Sequence, residues 1–581
     1  MRRLIKNLTK TEVVMALLVL CFILVQVWLD LALPDYMAEI TMLVQTQESQ
    51  MGDILIAGAK MLGCAFGSLL SAVVVALLAS RIASNFSYIT RKKVFGKIMD
   101  FSMKEMNAFS TPSLITRTTN DINQVQFFIV MGLQIIIKAP ITAIWAITKI
   151  ADKSASWTTV TGVAVVVLLV VVVTCLSLAI PRFKRLQVLT DNINRVTREG
   201  LEGMNVVRAY NAENYQADKF EQANMELTKT MLFTSKTMSF MGPSIMMIAN
   251  GLVLSVYLVG AVLIHEAIGI EKMELFSNMV VFSSYAMMVI LSFMMLVMVF
   301  AMLPRASVAA KRLQEVLETE SSIFYGKEKS EGKKGGKVEF RNVSFRFEDA
   351  PSDVLHNISF VANQGEVVAI IGATGCGKST LLHLIPRFFD TTEGTILIND
   401  QDVKQYEKQS LNDLVGYVSQ KAMLFTGTVK DNITFGKEEN SPLLSSSLAI
   451  SQSEEFVQSL ENTVEHEVAQ GGRNLSGGQK QRLSIARALY RNPKILLFDD
   501  SFSALDYQTD KELRHALQKT YKDTTRIIVA QRIGTIKDAD TIIVLDEGEI
   551  VGMGKHQMLL DTCEVYQQIA SSQLSKEELA Q

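Results

Sequence analysis

Cysteine is scarce: 581 residues carry five, Cys21, Cys64, Cys175, Cys376 and Cys563. They are scattered, with neither metal-ligand spacing nor a disulfide framework. Net charge is nearly absent too, with 57 Lys and Arg against 59 Asp and Glu, or -2 overall. Nucleic-acid binding shows as a basic excess, so no nucleic-acid partner is expected. The stretch between Pro34 and Asp53 has Asp35, Glu39, Glu48 and Asp53 but no Lys or Arg. The basic start MRRLIKNLTK is followed by an apolar run longer than the ~7–15 residues of a signal core, with no A-x-A-like cleavage site after it. Leu20, not a small residue, precedes Cys21, which argues against a lipoprotein anchor. The segment is therefore read as a retained first span.

What is abundant is apolar sequence, and it lies in the first part of the chain. VVMALLVLCFILVQVWLDLAL (Val13 to Leu33) and VTGVAVVVLLVVVVTCLSLAI (Val160 to Ile180) reach the ~20 residues a helix needs to cross a bilayer. Six spans are predicted, at 12–33, 54–80, 128–149, 158–180, 239–264 and 276–302. Lys and Arg crowd the N-terminus, Arg81 to Arg117, Arg182 to Lys236 and the segment after Arg305. The positive-inside rule then puts both termini on the cytoplasmic side. The long cytoplasmic connections, such as VFGKIMDFSMKEMNAF, repeat apolar residues at helical intervals and read as stalks. Lys60, Lys138 and Asp30 are charges inside spans. They fit a polar pathway or an intersubunit ion pair, or else snorkelling or burial against another helix. Methionines gather in the last two spans (Met246, Met247, Met287, Met288, Met294, Met295, Met298, Met302), which suits varied apolar ligands or plain packing.

From about Gly336 short β-rich runs alternate with helical ones, as in an α/β domain. A strand ending at Ile371 leads into Gly372-Ala-Thr374-Gly375-Cys376-Gly377-Lys378-Ser379-Thr380, the G-x-x-x-x-G-K-[ST] pattern, with a helix after it. Its backbone N–H groups would wrap phosphates, Lys378 would reach the β- and γ-phosphates, and Ser379 would ligate Mg²⁺. A thiol reagent should attack Cys376, with ATP protecting. ILLFDDSFSALD (Ile495 to Asp506) reads as a buried strand delivering Asp499 to the metal. Upstream, Leu475-Ser476-Gly477-Gly478-Gln479 opens a second helix suited to phosphate. Two such grips in one domain make sense if the second serves a nucleotide held by another copy.

With these motifs the chain resembles a half-transporter of the ATP-binding cassette exporter family, multidrug-type, over essentially its whole length. The resemblance implies an all-α six-helix transmembrane domain of the type IV exporter kind, fused to an α/β P-loop nucleotide-binding domain. The expected boundaries are 1–320, a linker at 321–336, and 337–581. It implies ATP and Mg²⁺ as cofactors, Phe347 stacking on adenine, and Gln420 as the Q-loop glutamine beside Ser379 and Asp499 at the metal. LSGGQ is the family signature unmodified, and Ser503, Ala504, Leu505 and Asp506 form the D-loop. NAFSTPSLITRTTNDI and GLEGMNVVRAYNAENYQADKF resemble the two coupling loops.

Two positions depart from that family. The catalytic glutamate is replaced by Asp500, and the switch histidine, in IIVAQRIGTI, by Gln531. Aspartate is one methylene shorter, and a displacement of ~1 Å in a catalytic group can cost on the order of 10²-fold. Glutamine cannot carry a positive charge or relay a proton. The expectation is a slow or inactive site on this chain, while the intact signature completes the site of a second, different half-transporter. The resemblance implies export of small hydrophobic or amphiphilic molecules, drugs foremost, from a bacterial cytoplasmic membrane, with lipid around the spans. An ATP-gated channel or membrane sensor with a slow ATPase is the alternative.

Overall fold

The computed structural model describes residues 10–46, 50–151, 155–268, 270–329 and 335–573. The basic N-terminal residues 1–9 and positions 330–334 of the expected linker lie outside them. The chain divides into two units: one holds Met1–Met99 and Thr111–Thr319, the other Asp100–Ser110 and Glu320–Gln581.

The first unit is built from six long apolar helices: α1 (Lys10–Gln45), α2 (Met51–Met99), then, past the short α3 (Met103–Phe109) of the second unit, α4 (Thr111–Ala151), α5 (Ala155–Glu202), α7 (Glu213–Glu266) and α8 (Ile270–Glu318), with a short α6 (Met204–Ala209) between α5 and α7. Each contains one of the predicted spans, and most run well beyond it. Their apolar side chains point outward over long stretches, Leu62, Phe66, Val163 and Val170 among them. A water-soluble protein does not expose so much apolar surface, and lipid accounts for it. The interior is close-packed around Trp157, Phe282 and Tyr285, with the Trp157 and Phe282 rings 5.3 Å apart. Gly260 leaves room there for Met279: a Cβ at position 260 would lie 2.5 Å from its sulfur and 3.4 Å from the Trp157 ring. Helix α4 carries two π-helical stretches, Arg117–Asp121 and Gly132–Ile136, which hydropathy alone does not predict.

The charges in the spans find partners within the chain. Lys138 pairs with Asp30 at 3.0 Å, and Ser68 donates to the same carboxylate. Asp35 receives Lys149 at 2.9 Å and the hydroxyl of the buried Tyr285 at 2.8 Å. Lys60 lies 3.9 Å from Glu39. An intersubunit pair is therefore not needed to explain Asp30 and Lys138. Hydrogen bonds between helices in a membrane average under 1 kcal/mol and reach nearly 2. Asp30→Ala should destabilise the solubilised protein by about 1–2 kcal/mol, and adding Lys138→Ala should return part of that loss, because an unpaired ammonium costs more than an absent pair. Thermal unfolding of the two variants checks this.

The second unit holds two main sheets. Strands β1 (Val338–Phe345), β2 (Leu355–Ala362), β4 (Glu393–Ile398) and the short β5 (Gln401–Asp402) form an antiparallel sheet in the order β2-β1-β4-β5. The other sheet uses β3 (Val367–Gly372), β6 (Val415–Val418), β7 (Ile495–Asp499), β8 (Thr525–Val529), β9 (Thr541–Asp546) and β10 (Glu549–Gly554), in the order β10-β9-β3-β8-β7-β6. All of its neighbours are parallel except β10 with β9. The central parallel strands β7 and β8 are buried on both faces, as strands between helical layers are.

Candidate nucleotide site

Strand order assembles the site. Val529 of β8 is level with Asp499 of β7 on one side and Ile370 of β3 on the other. The P-loop, Asp499 and the residues just past each strand end therefore share the C-terminal edge of the sheet, where open α/β folds bind ligands. Helix α9 (Lys378–Leu384) starts directly from the P-loop. Gly377 has φ +96°, and a Cβ there would sit 2.7 Å from the Leu355 side chain, so a larger residue is strained in that turn. Lys378 is folded back on the loop, donating to the Gly372 and Ala373 carbonyls at 2.9 and 2.6 Å. The Cys376 thiol is buried, 3.7 Å from that ammonium. Its alkylation by N-ethylmaleimide should consequently be slow, and saturating MgATP should slow it further; peptide mass mapping reads both.

The Ser379 hydroxyl donates to Asp499 at 2.7 Å, so two oxygen donors suited to a hard divalent cation already face each other. The other Asp499 oxygen meets the Tyr417 hydroxyl at 3.3 Å, which in turn lies 3.0 Å from His383. Burial pushes the His383 pKa down, with Asp499 opposing. Neither His383 nor Tyr417 stands out in the sequence, although each sits within five residues of a motif residue: His383 after Lys378, Tyr417 before Gln420.

The two departures from the family pattern touch. Gln531, just past β8, donates to Asp500 at 3.0 Å, and Gln420, just past β6, donates to the same oxygen at 3.3 Å. Adjacent strands β6, β7 and β8 thus place glutamine, aspartate and glutamine in a row. Asp500 has φ +47°, a left-handed conformation that Asp tolerates better than most residues. Burial raises its pKa, with some help from Asp499; hydrogen bonding by Gln420 and Ser503 and the charge of Lys378 oppose this.

Phe347 meets Phe345 and Phe389 edge-to-face at 4.8 and 5.4 Å, on the wall of a 690 Å³ cavity. Thr374 and Gly375 lie in the P-loop turn, and Thr380 in the first turn of α9. The signature stands apart in kind. Ser476 caps helix α10 (Gly477–Tyr490), accepting from the Gln479 amide at 3.3 Å while Gln479 accepts from the Ser476 amide at 2.8 Å. Leu475 is buried, whereas Ser476 and Gly477 face outward. The D-loop connects the two features: Ser503 donates to the Asp500 carbonyl at 2.8 Å, Ala504 approaches Gly478, Leu505 is buried, and Asp506 caps helix α11 (Tyr507–Thr520).

An α/β P-loop domain of this kind, on a chain with six membrane-length helices, defines a membrane-transport ATPase. Family comparison agrees: residues 16–293 match the ABC transporter transmembrane region and 355–503 the ABC transporter domain. An ABC transporter ATP-binding protein of Mycobacterium tuberculosis, Rv1273c, is 37% identical over 89% of this chain and 88% of its own length. YfiB of Bacillus subtilis, with the same description, is 35% identical over 90% of each. An ATP-dependent lipid A-core flippase of Saccharophagus degradans is 31% identical over 67% of this chain and 65% of its own. Among solved structures, a bacterial Atm1-family ABC exporter with ATP bound superposes with a TM-score of 0.80 over 98% of this chain and 99% of that one, at 24% identity, and so speaks for the fold. The chain belongs to the ABC transporter family, and its architecture is that of an exporter half-transporter.

Proposed function

We propose that this chain is one half of a heterodimeric exporter that moves hydrophobic or amphiphilic molecules, drugs foremost, out across a bacterial cytoplasmic membrane. Both termini and the nucleotide-binding domain then lie in the cytoplasm, with domain limits at 1–320, 321–336 and 337–581. The observation carrying the asymmetric reading is the Gln531–Asp500 hydrogen bond. It ties up the carboxylate that stands in the catalytic glutamate's place, using a residue that cannot carry the switch histidine's charge.

The Ser379–Asp499 pair fits Mg²⁺, with Gln420 at hand, and the metal would neutralise phosphate charge when bound. The chain's own residues supply the rest. Lys378 leaves the Gly372 and Ala373 carbonyls for the phosphates, the P-loop amides wrap them, and Phe347 stacks on the base. Asp500, shorter than glutamate and held by two glutamines, orients water poorly. Ser476 and Gly477, exposed on this chain, are offered with the Gly478 amide to the nucleotide on the partner.

Inverted membrane vesicles supplied with Hoechst 33342 in the outer medium test the function. ATP-dependent, vanadate-sensitive uptake of the dye supports export of hydrophobic molecules. An ATP-gated ion conductance without uptake supports the channel alternative instead.

A further inference from the structure

The chain passes between its two units at three places: after Met99, before Thr111 and after Thr319. Two of these crossings are tied together inside the second unit. Helix α3 begins with a capping box, in which Glu105 accepts from the Ser102 amide at 2.8 Å and the Ser102 hydroxyl at 2.6 Å through one oxygen. Its other oxygen accepts the amide of Ser322, at 3.1 Å, three residues past the final crossing. The Ser102 and Ser322 hydroxyls are also 3.0 Å apart. Glu105 is 6% exposed and Ser102 is buried with it, so water is a poor substitute at the carboxylate, while Ser322 itself stands at the surface.

From this node the structure runs directly to Phe347 and its cavity. Lys104, next to Glu105, pairs with Glu348 at 3.1 Å, next to Phe347, and Ser102 and Ser322 line the same cavity as Phe347. On the other side the chain after Ser322 is strapped down. Arg387, itself buried, donates to the Phe324 carbonyl at 3.0 Å, stacks over Tyr325 and forks onto Asp390. The Glu328 backbone then pairs with Gln405 and Glu407.

We propose that Glu105 is a positioning residue that fastens helix α3 to the segment following the last span, so that nucleotide beside Phe347 moves both chain crossings as one piece. The proposal rests on the exporter reading, in which nucleotide-driven motion must reach the spans. Burial pushes the Glu105 pKa up, but the Ser102 and Ser322 hydrogen bonds outweigh it and hold it below the usual glutamate value, so the carboxylate stays ionised and both oxygens accept. Glutamine serves equally well in a capping box but has one accepting oxygen. Glu105→Gln thus keeps α3 and cuts the tie to Ser322.

The full-length complex, in nanodiscs of phosphatidylethanolamine and phosphatidylglycerol, is followed by hydrogen–deuterium exchange with and without Mg·AMP-PNP. In the unaltered protein nucleotide should protect the P-loop and alter exchange over residues 34–46, at the end of α1. With Glu105→Gln, P-loop protection should persist while the response at 34–46 falls about fivefold, the effect of one ordinary hydrogen bond on an equilibrium. Ser322→Ala, which keeps the N–H, should respond as the unaltered protein does. A full response at 34–46 in Glu105→Gln overturns the proposal. So does loss of its P-loop protection, because the residue would then act on binding. A P-loop that is protected with no response at 34–46 in the unaltered protein refutes the exporter reading itself, and the proposal falls with it.

Discussion

Asp500→Glu combined with Gln531→His should raise ATP turnover by the purified complex, with this chain's own site gaining on the order of 10²-fold. Two terms make up the gain. The added methylene carries the carboxylate ~1 Å further toward where water must sit, and positioning errors of that size cost about 10². Histidine restores a group that can bear positive charge beside the γ-phosphate, where glutamine only hydrogen-bonds. The substitutions should not act independently, because the two side chains are in contact at 3.0 Å. Asp500→Glu alone leaves Gln531 and Gln420 free to bind the longer carboxylate, so its gain should be the smaller part. The left-handed backbone at position 500 favours aspartate over glutamate, which works slightly against the substitution. Turnover of the double variant, measured with vanadate-trapped nucleotide to count active sites, checks the claim. An unchanged rate would mean that the defect lies elsewhere.

The second large effect is expected from the signature. Ser476→Ala should lower turnover by the complex by about 10²–10³-fold, the cost of removing a preorganised donor from a phosphate or oxyanion site. Its effect on this chain's own fold is modest: loss of the helix cap costs about 1 kcal/mol, and helix α10 is otherwise anchored by buried Leu483, Ile485 and Leu489. Asp500→Ala in the same complex should leave turnover nearly unchanged. This ordering separates the account from a symmetric one. If both sites worked alike, Asp500→Ala would be at least as damaging as Ser476→Ala. Steady-state ATPase assays of the two variants, with thermal unfolding as the control, decide it.

The spans were legible because a bilayer demands long apolar runs, and Val160 to Ile180 serves no other purpose so plainly. The P-loop was legible because its glycines and lysine are consecutive. What could not be read was contact across distance. Gln531 lies 31 residues after Asp500, and only the order β6-β7-β8 sets Gln420, Asp500 and Gln531 side by side. Tyr417 and His383 reach Asp499 from two other elements, and neither residue type at its position signals that in one dimension. The π-helical turns in α4 have ordinary sequences, RTTND and GLQII, and depend on packing. Glu105 was hidden for a related reason: its capping box is local, but Ser322 is 217 residues away.

The central claim is asymmetry, and composition tests it most directly. The tagged chain, released gently from its own membrane, should bring down an equal amount of a second half-transporter, seen by native mass spectrometry. That partner should carry glutamate and histidine where this chain has Asp500 and Gln531. Recovery of this chain alone, as a homodimer with brisk ATPase activity, would contradict the account and make Asp500 a working catalytic base.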